Sequence, residues 1–217
     1  LQIANTIGHG GAFLAGSSKA SEKPFVGHDG IIGACNCPRD AEFLEYQRQL
    51  ADIYASAFQP SSIWIDDDLR MNSHPPVQYG CFCEKCLSDF SKSQGKTWSR
   101  EELAAELVKP GQYSQLRQDW VAFGMSSLAN VAGVIAEAAV QKAPGCRIGL
   151  QQCSLDWNTC YGPDMKPVFS AMEKASGRKP GSRLGHGYYF DHAPRELLVK
   201  SFGIARQVER ASGSAEQ

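Results

Sequence analysis

Three consecutive carboxylates, Asp66-Asp67-Asp68, follow Trp64 and Ile65 and lie within one loop of Cys81-Phe82-Cys83-Glu84-Lys85-Cys86. Adjacent like charges repel, so a chain that keeps three together has a use for at least one of them in a partly buried site where its pKa rises. The competing readings are a solvated strand end, a capped turn, or an Asp66–Arg70 pair acting as support. Strict strand alternation sends Asp66 and Asp68 to one face and Asp67 to the other. The cysteines are a different kind of donor. Thiolate sites for zinc take four soft ligands in a tetrahedron, and C-x-C-x-x-C supplies three from one tight loop. Cys37, followed by Pro38, is the chosen fourth ligand, with Cys35 as its substitute. A closed set of four cysteines leaves no open coordination position, so the zinc would be structural.

The elements that position these groups alternate. Residues 1–6 read as a strand that opens into Gly8-His9-Gly10-Gly11 and a long polar loop through Lys23. Residues 39–58 read as a helix, because Phe43, Leu44, Tyr46, Leu50, Ile53 and Tyr54 recur at helical spacing. Residues 61–66 form the next strand. Ser99 and Glu102 make a capping-box pattern ahead of a helix ended by Pro110-Gly111. Residues 113–142 are one long helix, with Leu116, Trp120, Phe123, Leu128, Val131, Ile135 and Ala138 on its apolar face. A strand at 147–151, a helix at 165–175, a strand at 182–187 and a helix at 194–208 complete the pattern, and 211–217 is a polar tail.

Strands separated by crossover helices imply α/β architecture with a parallel sheet. Polar and aromatic groups gather where the strands end: His9, then Asp66 to Asp68, then Gln151 and Gln152, then His186 and Tyr188. That rim is where a (β/α)8 (TIM) barrel carries its active site. The 217 residues fit one domain but fall short of a complete barrel of about 250. They are expected to hold about four central βα units. The chain opens on Leu1 without a methionine, as a processed or excised piece would.

With 42% hydrophobic residues, 21% charged residues and a net charge of −1, the composition is that of a soluble globular protein and argues against nucleic acid or an anionic membrane as partner. No apolar run approaches the roughly 18 residues that a membrane-spanning helix needs. Eight cysteines unevenly placed, several at C-x-C spacing, fit metal ligation better than a disulfide scaffold. Thiols kept free or metal-bound point to the cytoplasm.

The order Cys37-Pro38, then Ile65-Asp66-Asp67-Asp68, then Cys81-x-Cys83-x-x-Cys86 with Phe90 resembles glycoside hydrolase family 42, the β-galactosidases built on a (β/α)8 barrel. The resemblance runs from about residue 3 to residue 90. It implies a structural zinc on Cys37, Cys81, Cys83 and Cys86, and a homo-oligomer, trimeric in that family. It also implies a retaining glycosidase, whose two carboxyl groups stand about 5–5.5 Å apart. Family members end the fourth strand in Asn-Glu, with Glu as general acid/base. Here Asp67 and Asp68 fall at those positions, so Asp68, or failing that Asp67, becomes the acid/base of a divergent relative. Asp68 has the shorter reach, and an ionised Asp67 accepts hydrogen bonds without donating them. The family's nucleophile ends the seventh strand, outside this chain. His9, Trp64, Asp66, Arg70, Gln152, Trp157, His186 and Tyr188 are the expected carbohydrate contacts. Two other readings compete: a barrel that binds carbohydrate without cleaving it, and a hydrolase whose catalytic metal sits on rim His and Asp residues.

Overall fold

The computed structural model describes residues 1–3, 7, 24–71, 79–111, 114–152 and 165–183. In chain order these form β1 (Gln2–Ile3), β2 (Pro24–Val26), β3 (Ile32–Asn36), α1 (Ala41–Phe58), β4 (Ser62–Ile65), α2 (Glu84–Gln94), α3 (Arg100–Val108), α4 (Gln115–Lys142), β5 (Arg147–Gln151), α5 (Lys166–Ser176) and β6 (Gly181–Arg183). The strand expected at 182–187 is described only to Arg183. The helix expected at 194–208 lies outside the described residues.

Local chemistry sets the helix ends. Asp40 caps α1 by accepting from the Phe43 amide at 2.9 Å, which places the start after Pro38 and Arg39 rather than at residue 39. Ser99 and Glu102 form the expected capping box of α3, with both reciprocal bonds present. Ser114 caps α4 and Gly177 ends α5 in the left-handed region.

Four strands make one wholly parallel sheet in the order β1-β4-β5-β6. The order never reverses, so each crossover returns to the next position along the sheet. Ile63 and Ile65 pair in register with Ile148 and Leu150, and all four are buried. They pack in one core with Leu128, Val131, Ile135 and Ala139 of α4 and with Val168, Phe169 and Met172 of α5. Helix α4 is long and apolar enough by length and composition to cross a membrane, so the expectation that no such segment exists needs correcting. Its four charged residues, Arg117, Asp119, Glu137 and Lys142, lie near its ends and leave the stretch between Asp119 and Glu137 uncharged. The helix lies against α1 and α5, and that packing accounts for its apolar surface.

An antiparallel hairpin, β2–β3, stands between β1 and α1, where the sequence reading placed only loop. His28-Asp29-Gly30 forms its turn. Gly30 has φ 83°, and the Asp29 carboxylate accepts from the Ile31 amide at 3.0 Å.

The opposite face of the sheet is shaped by one indole. Trp64 pairs in register with Gly149, and Gly149 with Gly181. A Cβ on Gly149 would stand 2.5 Å from the Trp64 ring, and one on Gly181 would stand 3.1 Å from it. Both positions are glycine because the indole lies flat across β5 and β6. Gly149→Ala is expected to cost about 1–3 kcal/mol, read as a fall in the thermal midpoint. Adding Trp64→Leu to that variant should recover part of the loss, a coupling that a double-mutant cycle measures.

Candidate functional site

Cys37 follows β3 directly, and its carbonyl accepts from the Asp40 amide at the entry to α1. Cys81 lies in the loop before α2, Cys83 is the N-cap residue of α2, and Cys86 is in its first turn. The four sulfurs all lie within 4.8 Å of one another. Cys37 Sγ stands 3.5 Å from Cys86 Sγ and 3.6 Å from Cys83 Sγ. A disulfide would bring sulfurs to about 2.05 Å. A metal held at about 2.3 Å by four thiolates sets them about 3.8 Å apart. The spacing therefore fits four ligands around one ion. Cys37, Cys81 and Cys86 are buried and Cys83 is half-buried. Cys35 is buried nearby but falls outside the group, so it is not the substitute ligand among the described residues.

The charges of the cluster point the same way. Hydrogen bonding from Cys37, then from Cys81 and Cys86, pulls the Cys83 thiol down. Its hydrogen bond to Cys37 pushes Cys86 up, and burial does the same to Cys81. A divalent ion would let all four ionise.

A polar and aromatic clamp seats the thiol loop. Asp89 of α2 pairs with Arg39 at 3.1 Å and with Lys85 at 2.7 Å, which holds its carboxyl below the ordinary range. Arg39 also lies 4.4 Å over the Phe123 ring of α4. Phe82 and Phe90 pack on Trp120, with centroids 4.8 and 4.9 Å apart. The Phe82 amide donates to the Val26 carbonyl at 2.8 Å, tying the loop to the hairpin.

The second group is the triple aspartate. The strand ladder continues to the Asp66 amide, which donates to the Ile3 carbonyl at 3.1 Å, and the chain then turns through Asp67 and Asp68. The turn replaces strand alternation, so the three carboxylates converge within 4.8 Å. Asp66 is half-buried and accepts from the Asp67 amide at 2.7 Å. Burial, reinforced by the Asp67 carboxylate, raises its pKa above the ordinary aspartate value, although a Gln2 hydrogen bond works against the rise. Asp68 is 1% exposed and forms a 2.8 Å ion pair with Arg70, itself 3% exposed. The pairing expected for Asp66 with Arg70 is thus made by Asp68, because the turn carries Asp68 inward beside the guanidinium.

Gln152 is buried and donates from Nε2 to the Ser182 hydroxyl at 2.9 Å, a bond between the ends of β5 and β6. Trp64 is half-buried on the sheet face described above. His9, Trp157, His186 and Tyr188 lie outside the described residues. Of the rim residues Gln151 and Arg183, the sequence reading placed Gln151 at a strand end but chose neither as a contact. They pair in register and share a hydrogen bond from the guanidinium to the amide oxygen. Their positions at strand ends were the available signal.

No family model and no curated protein matches the chain. Among solved structures it is similar to the crystal structure of a beta-galactosidase from Bacillus circulans sp. alkalophilus, with a TM-score of 0.57 and 12% sequence identity. The match covers 90% of this chain and 31% of that one. At this identity the likeness is one of fold. This chain therefore corresponds to less than a third of that protein's length.

The thiol cluster generates a direct prediction. Elemental analysis should find one thiophilic divalent ion per chain, and Cys86→Ser should abolish it. The same substitution should lower the thermal midpoint by about 5 °C or more, the shift expected for roughly 2 kcal/mol in a domain of this size.

Proposed function

We propose that this chain is the central part of a (β/α)8 glycoside hydrolase-like domain that cleaves a glycosidic bond with retention of configuration. The observation that carries the reading is the convergence of three carboxylates at the C-terminal end of a parallel strand, where barrel enzymes place their chemistry. The fold likeness to a beta-galactosidase supports it. So does the family 42 order of cysteine, carboxylate and cysteine-loop positions.

In this reading the acid/base is one of the three strand-end aspartates; correspondence with the family motif points to Asp68, or failing that Asp67. The nucleophile is a carboxylate outside this chain. The ion on Cys37, Cys81, Cys83 and Cys86 is zinc, since four thiolates in a tetrahedral arrangement are its usual structural environment. Four protein ligands saturate it, so its work is to fix the loop. Trp64, Gln152 and the rim residues beyond the described part would shape the carbohydrate pocket. The near-neutral charge fits a sugar better than nucleic acid or an anionic membrane, and the free thiols fit a reducing compartment. Assembly into a homo-oligomer follows from the family resemblance.

The test is turnover of a panel of aryl glycosides by the intact protein. The reading predicts measurable hydrolysis, and a loss of at least about 100-fold in kcat/KM when Asp66, Asp67 and Asp68 are all changed to Asn. Binding of oligosaccharide with no turnover would replace it with the non-catalytic carbohydrate-binding reading.

A further inference from the structure

We infer that Asp66, rather than Asp68, delivers and recovers the proton at the glycosidic oxygen, and that the Asp68–Arg70 pair is the positioning element that sets its carboxyl in place. The inference rests on the glycosidase reading and deepens it.

Access is the first argument. A general acid must come within about 2.6–3.2 Å of the leaving oxygen. Asp68 is 1% exposed and its Oδ1 is held 2.8 Å from the Arg70 guanidinium, so a substrate cannot reach it without breaking a buried ion pair. Asp66 and Asp67 are both half-buried, and Asp66 is the one in line with the strand, its amide donating to the Ile3 carbonyl.

Face is the second argument. Gln2 pairs in register with Trp64, Trp64 with Gly149, and Gly149 with Gly181, so these four residues lie on the sheet face opposite the helix-packed Ile63 and Ile65. The Asp66 amide continues the strand ladder on the Ile3 carbonyl, and two-residue spacing from Trp64 assigns Asp66 to the same face. Gln151 and Arg183 follow Gly149 and Gly181 at two-residue spacing and belong to it as well. Asp66 therefore shares one sheet face with Trp64, Gln151 and Arg183, whereas Asp68 is buried at the turn against Arg70.

Charge is the third argument. Three carboxylates within 4.8 Å do not readily all stay ionised. An ion pair with Arg70 requires Asp68 to be the anion. Burial, with the Asp67 carboxylate beside it, raises the Asp66 carboxyl and favours its holding a proton. The turn is closed by the Leu69 amide to the Asp66 carbonyl at 3.2 Å and the Arg70 amide to the Asp68 carbonyl at 2.9 Å. That turn aims the Asp67 amide at Asp66 Oδ1.

The chemistry balances with two further reactants, a carboxylate nucleophile and water. As the nucleophile bonds to the anomeric carbon, the carbon–oxygen bond to the leaving group breaks and Asp66 gives that oxygen its proton. Asp66, now anionic, takes a proton from water as the water oxygen bonds to the anomeric carbon and displaces the nucleophile.

The test compares dinitrophenyl glycosides, whose leaving group needs no proton, with phenyl glycosides, whose leaving group does. In the intact protein, Asp66→Ala should lower kcat/KM for phenyl glycosides by about 100-fold or more and spare dinitrophenyl glycosides to within about 10-fold. Azide should restore its turnover of the activated substrate and yield a glycosyl azide. Asp66→Asn, which keeps the side-chain shape, guards against a folding defect and should behave alike. Asp68→Asn should lower both substrate classes by the same factor, lower the thermal midpoint, and show no azide rescue. Azide rescue at Asp68, or phenyl glycoside turnover unchanged in both Asp66 variants, overturns the assignment and leaves the glycosidase reading standing. A wild-type protein that cleaves neither substrate class overturns both.

Discussion

Four sulfurs held within 4.8 Å of one another are the constraint on which the rest of the site depends. One comes from the end of a hairpin and three from the loop and first turn of a helix more than forty residues later. Bringing them together joins the start of α1 to the start of α2 and fixes one end of the loop that leaves β4. The surrounding interactions agree with that closure. Asp89 reaches across to Arg39, Phe82 bonds to the hairpin, and Phe90 and Trp120 seat α2 on α4. A cluster of thiols without a cation would hold little of this together, since neutral sulfurs are weak donors and acceptors. A divalent ion on the four sulfurs would convert the contact into bonds.

What that closure serves is the end of β4. The strand delivers Ile63 and Ile65 to the helix-covered core and Trp64 to the other face. Its continuation then turns, so three carboxylates converge instead of alternating. Concentrated negative charge at a strand end is unfavourable, and the structure offsets it unevenly. Arg70 compensates Asp68 below the surface, and Asp66 remains half-buried with a raised pKa. Two chemically identical neighbours thereby acquire different protonation tendencies. That separation is what acid/base chemistry requires.

Much of this was legible in the residues. Helical periodicity placed α1 and α4, the capping box placed α3, and the C-x-C-x-x-C spacing located the thiol cluster, because each is a local pattern with a local cause. Cys37 is set apart from Cys35 in the sequence by the Pro38 that follows it and by analogy, and by nothing that shows its partners. The choice is set by which of two strand-end sulfurs faces a helix start more than forty residues away, and no local rule encodes that. The hairpin was missed because β2 is three residues long and begins with proline, although Asp29-Gly30 signalled its turn. The Asp68–Arg70 pair was missed because strict alternation assumes the strand continues, and it ends at Ile65. Nothing local to Gly149 or Gly181 marks the indole that lies across them, because Trp64 is far away in sequence.

The most direct test of the central claim is X-ray absorption at the zinc edge of the purified intact protein. The account predicts one shell of four sulfur scatterers at about 2.3 Å and no oxygen or nitrogen ligand. Absence of a zinc edge, or a first shell containing oxygen or nitrogen, would contradict it.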